Sequence, residues 1–264
     1  MPRIILSSIV TLLFILPANA GVLVIAYMAE SQVALVDSET MQTIVRFASG
    51  RNPHEVRISP DGRRAYVAAG PTVTVVDLRN RRVKAHFDLG EYSAHDIRIS
   101  RDGKRFWAAC ARSQTILEVD AETGKTIKAY KTAADGSWFV EITHDEKKLY
   151  TPNLEGKSVS VIDRANGAVK VIKFESAVYG IDITPDGKQV WVTGKDVTVI
   201  DTATDTVVTT VKTPEADTGR IRIAADGKTA AVALSKRLVT IDIPARKIIR
   251  EIDLAASPKV LTLS

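Results

Sequence analysis

A period of about 40 residues runs through this chain, and it restricts the fold more than any single motif does. Ser59, Ser100, Thr143, Thr184, Ala224 and Ser264 stand 41, 43, 41, 40 and 40 residues apart. The first five are followed by Pro60-Asp61-Gly62, Arg101-Asp102-Gly103, His144-Asp145-Glu146, Pro185-Asp186-Gly187 and Ala225-Asp226-Gly227. Asp-Gly in such a place is turn chemistry, since glycine accepts the left-handed backbone that a tight turn requires. A second marker, the aspartate that ends a Val/Ile-rich run, recurs at Asp37, Asp77, Asp120, Asp163, Asp201 and Asp242. Both markers count six.

Between markers the apolar residues alternate with period two, which indicates strands and excludes a helical repeat. Each unit reads as strand, turn, strand, loop, strand, turn, strand. Seven residues past the first marker stand Tyr66, Trp107, Tyr150, Trp191 and Ala231. Large rings there can fill the gap between neighbouring sheets. Four short strands per 40-residue unit is the pattern of a propeller blade. The expected fold is therefore all-β, a six-bladed β-propeller of four-stranded antiparallel blades, with seven blades as the alternative. The segment from Gly21 reads as the second strand of a blade, and residues 258–264 read as a first strand. Pairing these N- and C-terminal strands would close the ring and remove its open edges.

Residues 1–20 read as a signal peptide, with Arg3 ahead of the apolar run 4–16 and Ala18-Asn19-Ala20 as the cleavage site. Residues 21–264 then form a single propeller domain in the periplasm or outside the cell, with no membrane span after cleavage. Cys110 is the sole cysteine, so no intrachain disulfide forms, and its place at the end of an apolar strand marks it as a packed residue. The net charge of +5 is scattered among turns, which argues against a nucleic-acid surface and for a solvated one. A monomer is expected.

Tyr150-Thr151-Pro152-Asn153 followed by Ser158 to Asp163, and the S/T-P-D-G-K/R runs at 59–63 and 184–188, resemble the YVTN-type bacterial β-propeller repeat. The resemblance covers residues 21–264 and concerns turn and packing positions, so it speaks for architecture and little for activity. It implies a place in the superfamily that includes the haem d1 propeller of nitrite reductase. A haem d1- or metal-associated redox module and a lactonase-like hydrolase are the activities it brings into view.

In a propeller the first strand of each blade lines the central channel. The polar positions of those strands hold Arg57, Arg98, Glu141, Asp182, Arg222 and Thr262. Two readings of this belt are open. Arg98 can pair with Glu141 and Asp182 with Arg222 across blades; alternatively, Arg57 and Arg98 can face an anion. At the strand entrances the aligned residues are His54, His95, Trp138, Tyr179, Gly219 and Lys259, with Arg112, Asn153 and Lys236 expected at the rim. Two histidines and two aromatic rings can build a metal, haem or small-molecule site, and each histidine can equally be a hydrogen-bonded turn residue. The candidate ligand-binding set is His54, Arg57, His95, Arg98, Trp138, Glu141, Tyr179, Asp182 and Arg222. His54 and His95 with Glu55 and Asp96 offer acid–base pairs, but no nucleophile, metal-binding or phosphate-loop motif accompanies them. The leading expectation is thus a periplasmic propeller without catalysis that binds a protein partner or small ligand at the channel mouth. No cofactor is specified by the sequence.

Overall fold

The computed structural model describes residues 10–13, 21–215 and 219–254, and its strands form six four-stranded antiparallel sheets in chain order. This is the make-up of a β-propeller. Among the described residues no helix is long and apolar enough to cross a membrane.

The turn marker explains how each sheet begins. In sheet 2 the Ser59 hydroxyl donates to Asp61 Oδ1 at 2.6 Å, and Asp61 accepts the Arg63 amide at 3.0 Å. The Arg64 amide then donates to Ser59 Oγ at 2.9 Å, so one hydroxyl and one carboxylate satisfy the whole corner. Sheets 3, 4 and 5 repeat the corner with Ser100/Asp102, Thr143/Asp145 and Thr184/Asp186. Sheet 6 has Ala224 in place of the hydroxyl and keeps only the Asp226 contact to the Lys228 amide, at 2.9 Å. The carboxylates are thereby spent on their own backbone.

Burial sorts the strands by position. The second and third strands of sheet 2, Arg64–Ala69 and Thr72–Asp77, are buried almost throughout, whereas the fourth, Arg82–Asp88, alternates with exposed residues. The core consists of layers between consecutive sheets. Val24, Val33 and Leu35 of sheet 1 meet Val56 and Val67 of sheet 2; similar layers join sheets 2 to 3, 3 to 4, 4 to 5 and 5 to 6. Tyr66, Trp107, Tyr150 and Trp191 lie fully buried in these layers. Cys110 is packed with them, its Sγ 3.7 Å from the Ala108 carbonyl, and burial pushes the thiol up to about 12.

Sheet 1 departs from the sequence reading. Its first strand is Val10–Leu13, paired from Val10↔Tyr27 to Leu13↔Val24, inside the segment that reads as a leader. The expected partner, residues 258–264, lies outside the described residues. The strand Val22–Tyr27 offers an apolar, hydrogen-bonding edge, and an apolar extended segment satisfies it. The opposite face of sheet 1 carries its own buried cluster of Leu23, Ile25, Ala34 and Val36, so both faces of this sheet are covered.

Candidate functional site

The first strands of neighbouring sheets lie against one another, and they bring with them two polar levels and an aromatic one. Glu55–Ile58, Asp96–Ile99, Glu141–Ile142, Ile181–Ile183 and Arg220–Ile223 are the first strands of sheets 2 to 6. The period of two puts Glu55 with Arg57, Asp96 with Arg98 and Arg220 with Arg222 on the same side of their strands. All of these charges are buried or half-buried, and with Glu141 and Asp182 added the four arginines face four carboxyl groups.

The network runs from sheet to sheet. Arg57 donates to Glu55 at 3.1 Å on its own strand and to Asp96 at 2.8 Å on the next. Arg98 repeats the arrangement, holding Asp96 at 3.0 Å and Glu141 through Nε at 2.8 Å. Asp96 also accepts the Val140 amide at 3.3 Å. The Arg98–Glu141 pair is the one expected from the alternating signs. The expected Asp182–Arg222 pair is replaced: Asp182 accepts the backbone amides of Ile183 at 3.0 Å and Ile223 at 2.7 Å, while Arg222 donates to the Ile221 carbonyl at 2.9 Å. A carboxylate at a sheet junction is nearer to the neighbour's amide than to its side chain, and it still ties sheet 5 to sheet 6.

Arg220 closes the belt from the far side. Sheet 5 has Gly180 at the corresponding level, where a Cβ would lie 2.4 Å from the Gly219 carbonyl, so no side chain stands in the way. The Arg220 guanidinium passes 4.8 Å over the Phe139 ring and reaches the Glu55 carboxylate. Glu55 is held down to about 2: burial raises it, and Arg220, Arg57 and Arg222 outweigh that. Glu141 goes the other way, to about 7, because burial, reinforced by Asp182, outweighs the pull of Arg98. Burial lowers Arg57 to about 10.

Above the belt an arc of rings crosses four sheets. His54 stacks on His95 with centroids 4.4 Å apart; His95 meets Trp138 at 5.0 Å and Phe139 at 5.3 Å, both edge-on; Phe139 meets Tyr179 at 4.9 Å. The candidates His54, His95, Trp138 and Tyr179 are therefore brought together. His95 Nδ1 lies 3.1 Å from the Trp138 carbonyl, which can only accept, so Nδ1 carries the hydrogen and Nε2 the lone pair. Burial, helped by His54, lowers His95 to about 4, and burial lowers His54 as well. Both imidazoles are neutral at pH 7, the form that coordinates a metal.

A cavity of about 220 Å³ opens beside the pair, with Arg51, His54, His95, Arg112 and Trp138 in its wall. Arg112 thus stands where the sequence places it. Asn153 does not: it is buried, accepting from Ser137 Oγ at 2.8 Å and donating to Ser158 and Ser160 at 2.9 Å, because three strand hydroxyls need a partner there. Lys236 is exposed, and Lys259 lies outside the described residues. Glu55, Asp96 and Arg220 escaped the sequence-based candidate set as belt members, although the period-two signal that found Arg57 also reaches them. Phe139 had the same signal. Among the described residues no group of three or more His, Cys, Asp or Glu side chains is arranged to hold a metal ion.

The residues fit a haem-type tetrapyrrole in part. Neutral imidazoles beside aromatic rings are the donor set that such a group takes, and the Nε2 lone pair of His95 is defined. The ion pairs lie below the rings, and the cavity of about 220 Å³ is smaller than the roughly 300 Å³ at which pockets begin to enclose drug-sized ligands. His54 and His95 would thus supply imidazole donors, while the space beside them is too small to enclose a macrocycle.

The family described as cytochrome D1 heme domain matches residues 17–113, a segment that holds His54, Arg57, His95 and Arg98. None of the curated proteins compared matches this chain. Among solved structures, Kuenenia stuttgartiensis hydrazine synthase is similar with a TM-score of 0.78 and 22% identity over 90% of this chain and 85% of that one. The dihydro-heme d1 dehydrogenase NirN, in complex with DHE, is similar with a TM-score of 0.69 and 20% identity, over 90% of this chain and 55% of that one. The chain thus spans about half the length of the NirN chain. At these identities the structural likenesses speak for the β-propeller fold. The family match over residues 17–113 favours the haem d1-associated alternative over the leading expectation.

Proposed function

We propose that this protein is a periplasmic propeller that holds or hands on a haem-type tetrapyrrole at the mouth formed by His54, His95, Trp138 and Tyr179. The observation that carries the reading is the stacked pair of neutral histidines, which falls inside the segment matched by the cytochrome D1 heme domain family. His95, with its Nδ1 anchored on the Trp138 carbonyl, is a ligand of fixed orientation. Trp138 and Tyr179 offer ring faces and edges to a flat partner. A tetrapyrrole would supply an iron centre for electron transfer or ligand exchange. The protein's share is to present the imidazole, and to keep the belt below it neutral and shut.

The test is an absorption titration of the protein with haem. The reading expects a saturable shift of the Soret band that is lost in the His54→Ala/His95→Ala double variant, while Cys110→Ala leaves it unchanged. Equal spectra in wild type and double variant would refute it.

The ring closure belongs to the same proposal. The leader 1–20 is removed on export, the six sheets are six blades, and residues 258–264 take the first-strand place in sheet 1. The buried face of Leu23, Ile25, Ala34 and Val36 supports this, because a sheet covered on both faces is flanked on both sides.

A further inference from the structure

The outer edges of the six sheets are not alike. In sheets 1, 2, 3, 5 and 6 the register between the third and fourth strands slips, at Leu35/Val36, Val75/Val76, Glu118/Val119, Val199/Ile200 and Thr240/Ile241. A bulge of this kind bends the outer strand and blunts its edge against further pairing. In sheet 4 the fourth strand, Val169–Lys173, pairs without a slip from Ile162↔Val169 to Ser158↔Lys173. Among the described sheets this outer edge alone is regular from end to end.

The register also fixes which backbone groups the edge offers. The Phe174 amide donates to the Lys157 carbonyl at 2.8 Å and the Asp163 amide to the Ala168 carbonyl at 2.9 Å, so residues 168, 170, 172 and 174 turn inward to the third strand. By alternation Val169, Val171 and Lys173 point their amides and carbonyls outward. Ile172 packs into the layer between sheets 4 and 5, and the side chains of Val169 and Val171, on the other face, are 36% and 42% exposed. Beside Val171 runs a groove of about 490 Å³, walled by Ala133, Ala134, Gly156, Lys157 and Lys173, with no carboxylate in its described wall. Small residues leave it room for a chain.

Charge decides what can pair there. The edge carries Lys170 and Lys173, and the Lys170 ammonium is held by a carbonyl, that of Thr204, at 2.9 Å. Two copies laid edge to edge would gather Lys170 and Lys173 of both, and like charges across a strand pair are destabilising. A strand with a carboxylate meets the opposite case.

We infer that the outer edge of sheet 4 is a docking site for an extended, acidic segment of a partner protein, which adds to the sheet as a further antiparallel strand. Its carboxylate falls opposite Lys173, near Lys157, and two β-branched residues fall opposite Val171 and Val169. The recognised pattern is therefore a carboxylate followed by β-branched residues two and four places on. The inference goes beyond the tetrapyrrole reading and does not depend on it.

The probe is the capped peptide Glu-Thr-Val-Thr-Val-Thr, dye-labelled at its C-terminal end, and its fluorescence anisotropy is followed as the full protein is added without haem. Binding should saturate. The peptide with lysine in place of its glutamate should bind about tenfold more weakly, and the Lys157→Glu/Lys173→Glu variant should reverse that preference. Two N-methylated peptides test the pairing itself. A methyl on the amide of the first valine, which faces Val171, should weaken binding about tenfold; a methyl on the amide of the second threonine, which faces away, should not. On the protein side Val171→Pro removes an outward amide and leaves the ladder to the third strand in place, so it should abolish binding with the melting temperature little changed. Should the proline variant fail to fold, the charge-reversed variant and the methylated peptides carry the test. Binding that does not saturate, equal weakening by the two methyl groups, or a preference for the acidic peptide that survives charge reversal would each overturn the inference. So would a dimer in sedimentation that Val171→Pro dissolves, since it would give the edge to a second copy. Haem titration is run separately, so either reading can fail while the other stands.

Discussion

Two buried groups at the mouth have opposite effects on how stability varies with pH. His95 is depressed to about 4 from an ordinary 6.5, so the folded state resists its protonation; its stabilising share is complete above pH 6.5 and is lost as pH falls towards 4. Glu141 is raised to about 7 from 4.5, so the folded state holds a proton that the unfolded state has released; its share is complete below pH 4.5 and is lost as pH rises through 7. Between about pH 4.5 and 6.5 the two slopes cancel, each being about 1.4 kcal/mol per pH unit at its steepest. Glu141→Gln should therefore expose the histidine's slope, with stability falling as pH drops from 6.5 to 4.5. His95→Gln should expose the reverse slope. Urea unfolding at pH 4.5, 5.5 and 6.5 measures both, and parallel profiles for wild type and both variants would contradict the assignment. His54, His95, Trp138 and Tyr179 were legible in the sequence because they depart from a repeating background. Arg220 carries the same period-two signal, but its reach to Glu55 was not legible, since it depends on the bare Gly180 beside it, which only the packing of the sheets reveals.

At the scale of the element, the Ser/Thr-x-Asp-Gly corner is the unit that recurs, and sheet 6 lacks its hydroxyl. Ala224→Ser should restore the bond to Asp226 and the amide contact seen at Ser59, adding about 1 kcal/mol. The converse change, Ser59→Ala, should cost about 1–2 kcal/mol, since it leaves the Arg64 amide without its partner. Thermal melting of the two variants checks both signs. The turn carboxylates also set the acid limit: hydrogen bonds from Ser59, Ser100 and Thr184 hold Asp61, Asp102 and Asp186 below the ordinary carboxylate range. Their share of stability is present above about pH 4 and is lost as pH falls below it. Strands and turns were legible because each has a local signature. The replacement of the Asp182–Arg222 pair by a bond to the Ile223 amide was not, since backbone amides look alike at every position of a sequence.

For the whole molecule, two segments compete for one edge of sheet 1. Val10–Leu13 fills that place in the structure, and residues 258–264 are the rival that the sequence repeat offers. The protein beginning at Gly21 should fold and stay monomeric, and removing Pro258 to Ser264 from it should lower its melting temperature or make it oligomerise through the exposed edge. A truncated protein that remained monomeric with unchanged melting would contradict closure by the C-terminal strand. The sequence made the six-unit repeat plain, but residues 10–13 and 258–264 are both apolar runs with strand-like patterning, and pattern alone cannot rank them for one edge. The tetrapyrrole reading is tested most directly by purifying the protein from the cells that make it and recording its absorption spectrum with native mass spectrometry. The account predicts a Soret band and a co-purifying tetrapyrrole mass, both lost when His54 and His95 are replaced by alanine. A colourless protein of unadorned mass that also fails to take up added haem would contradict it.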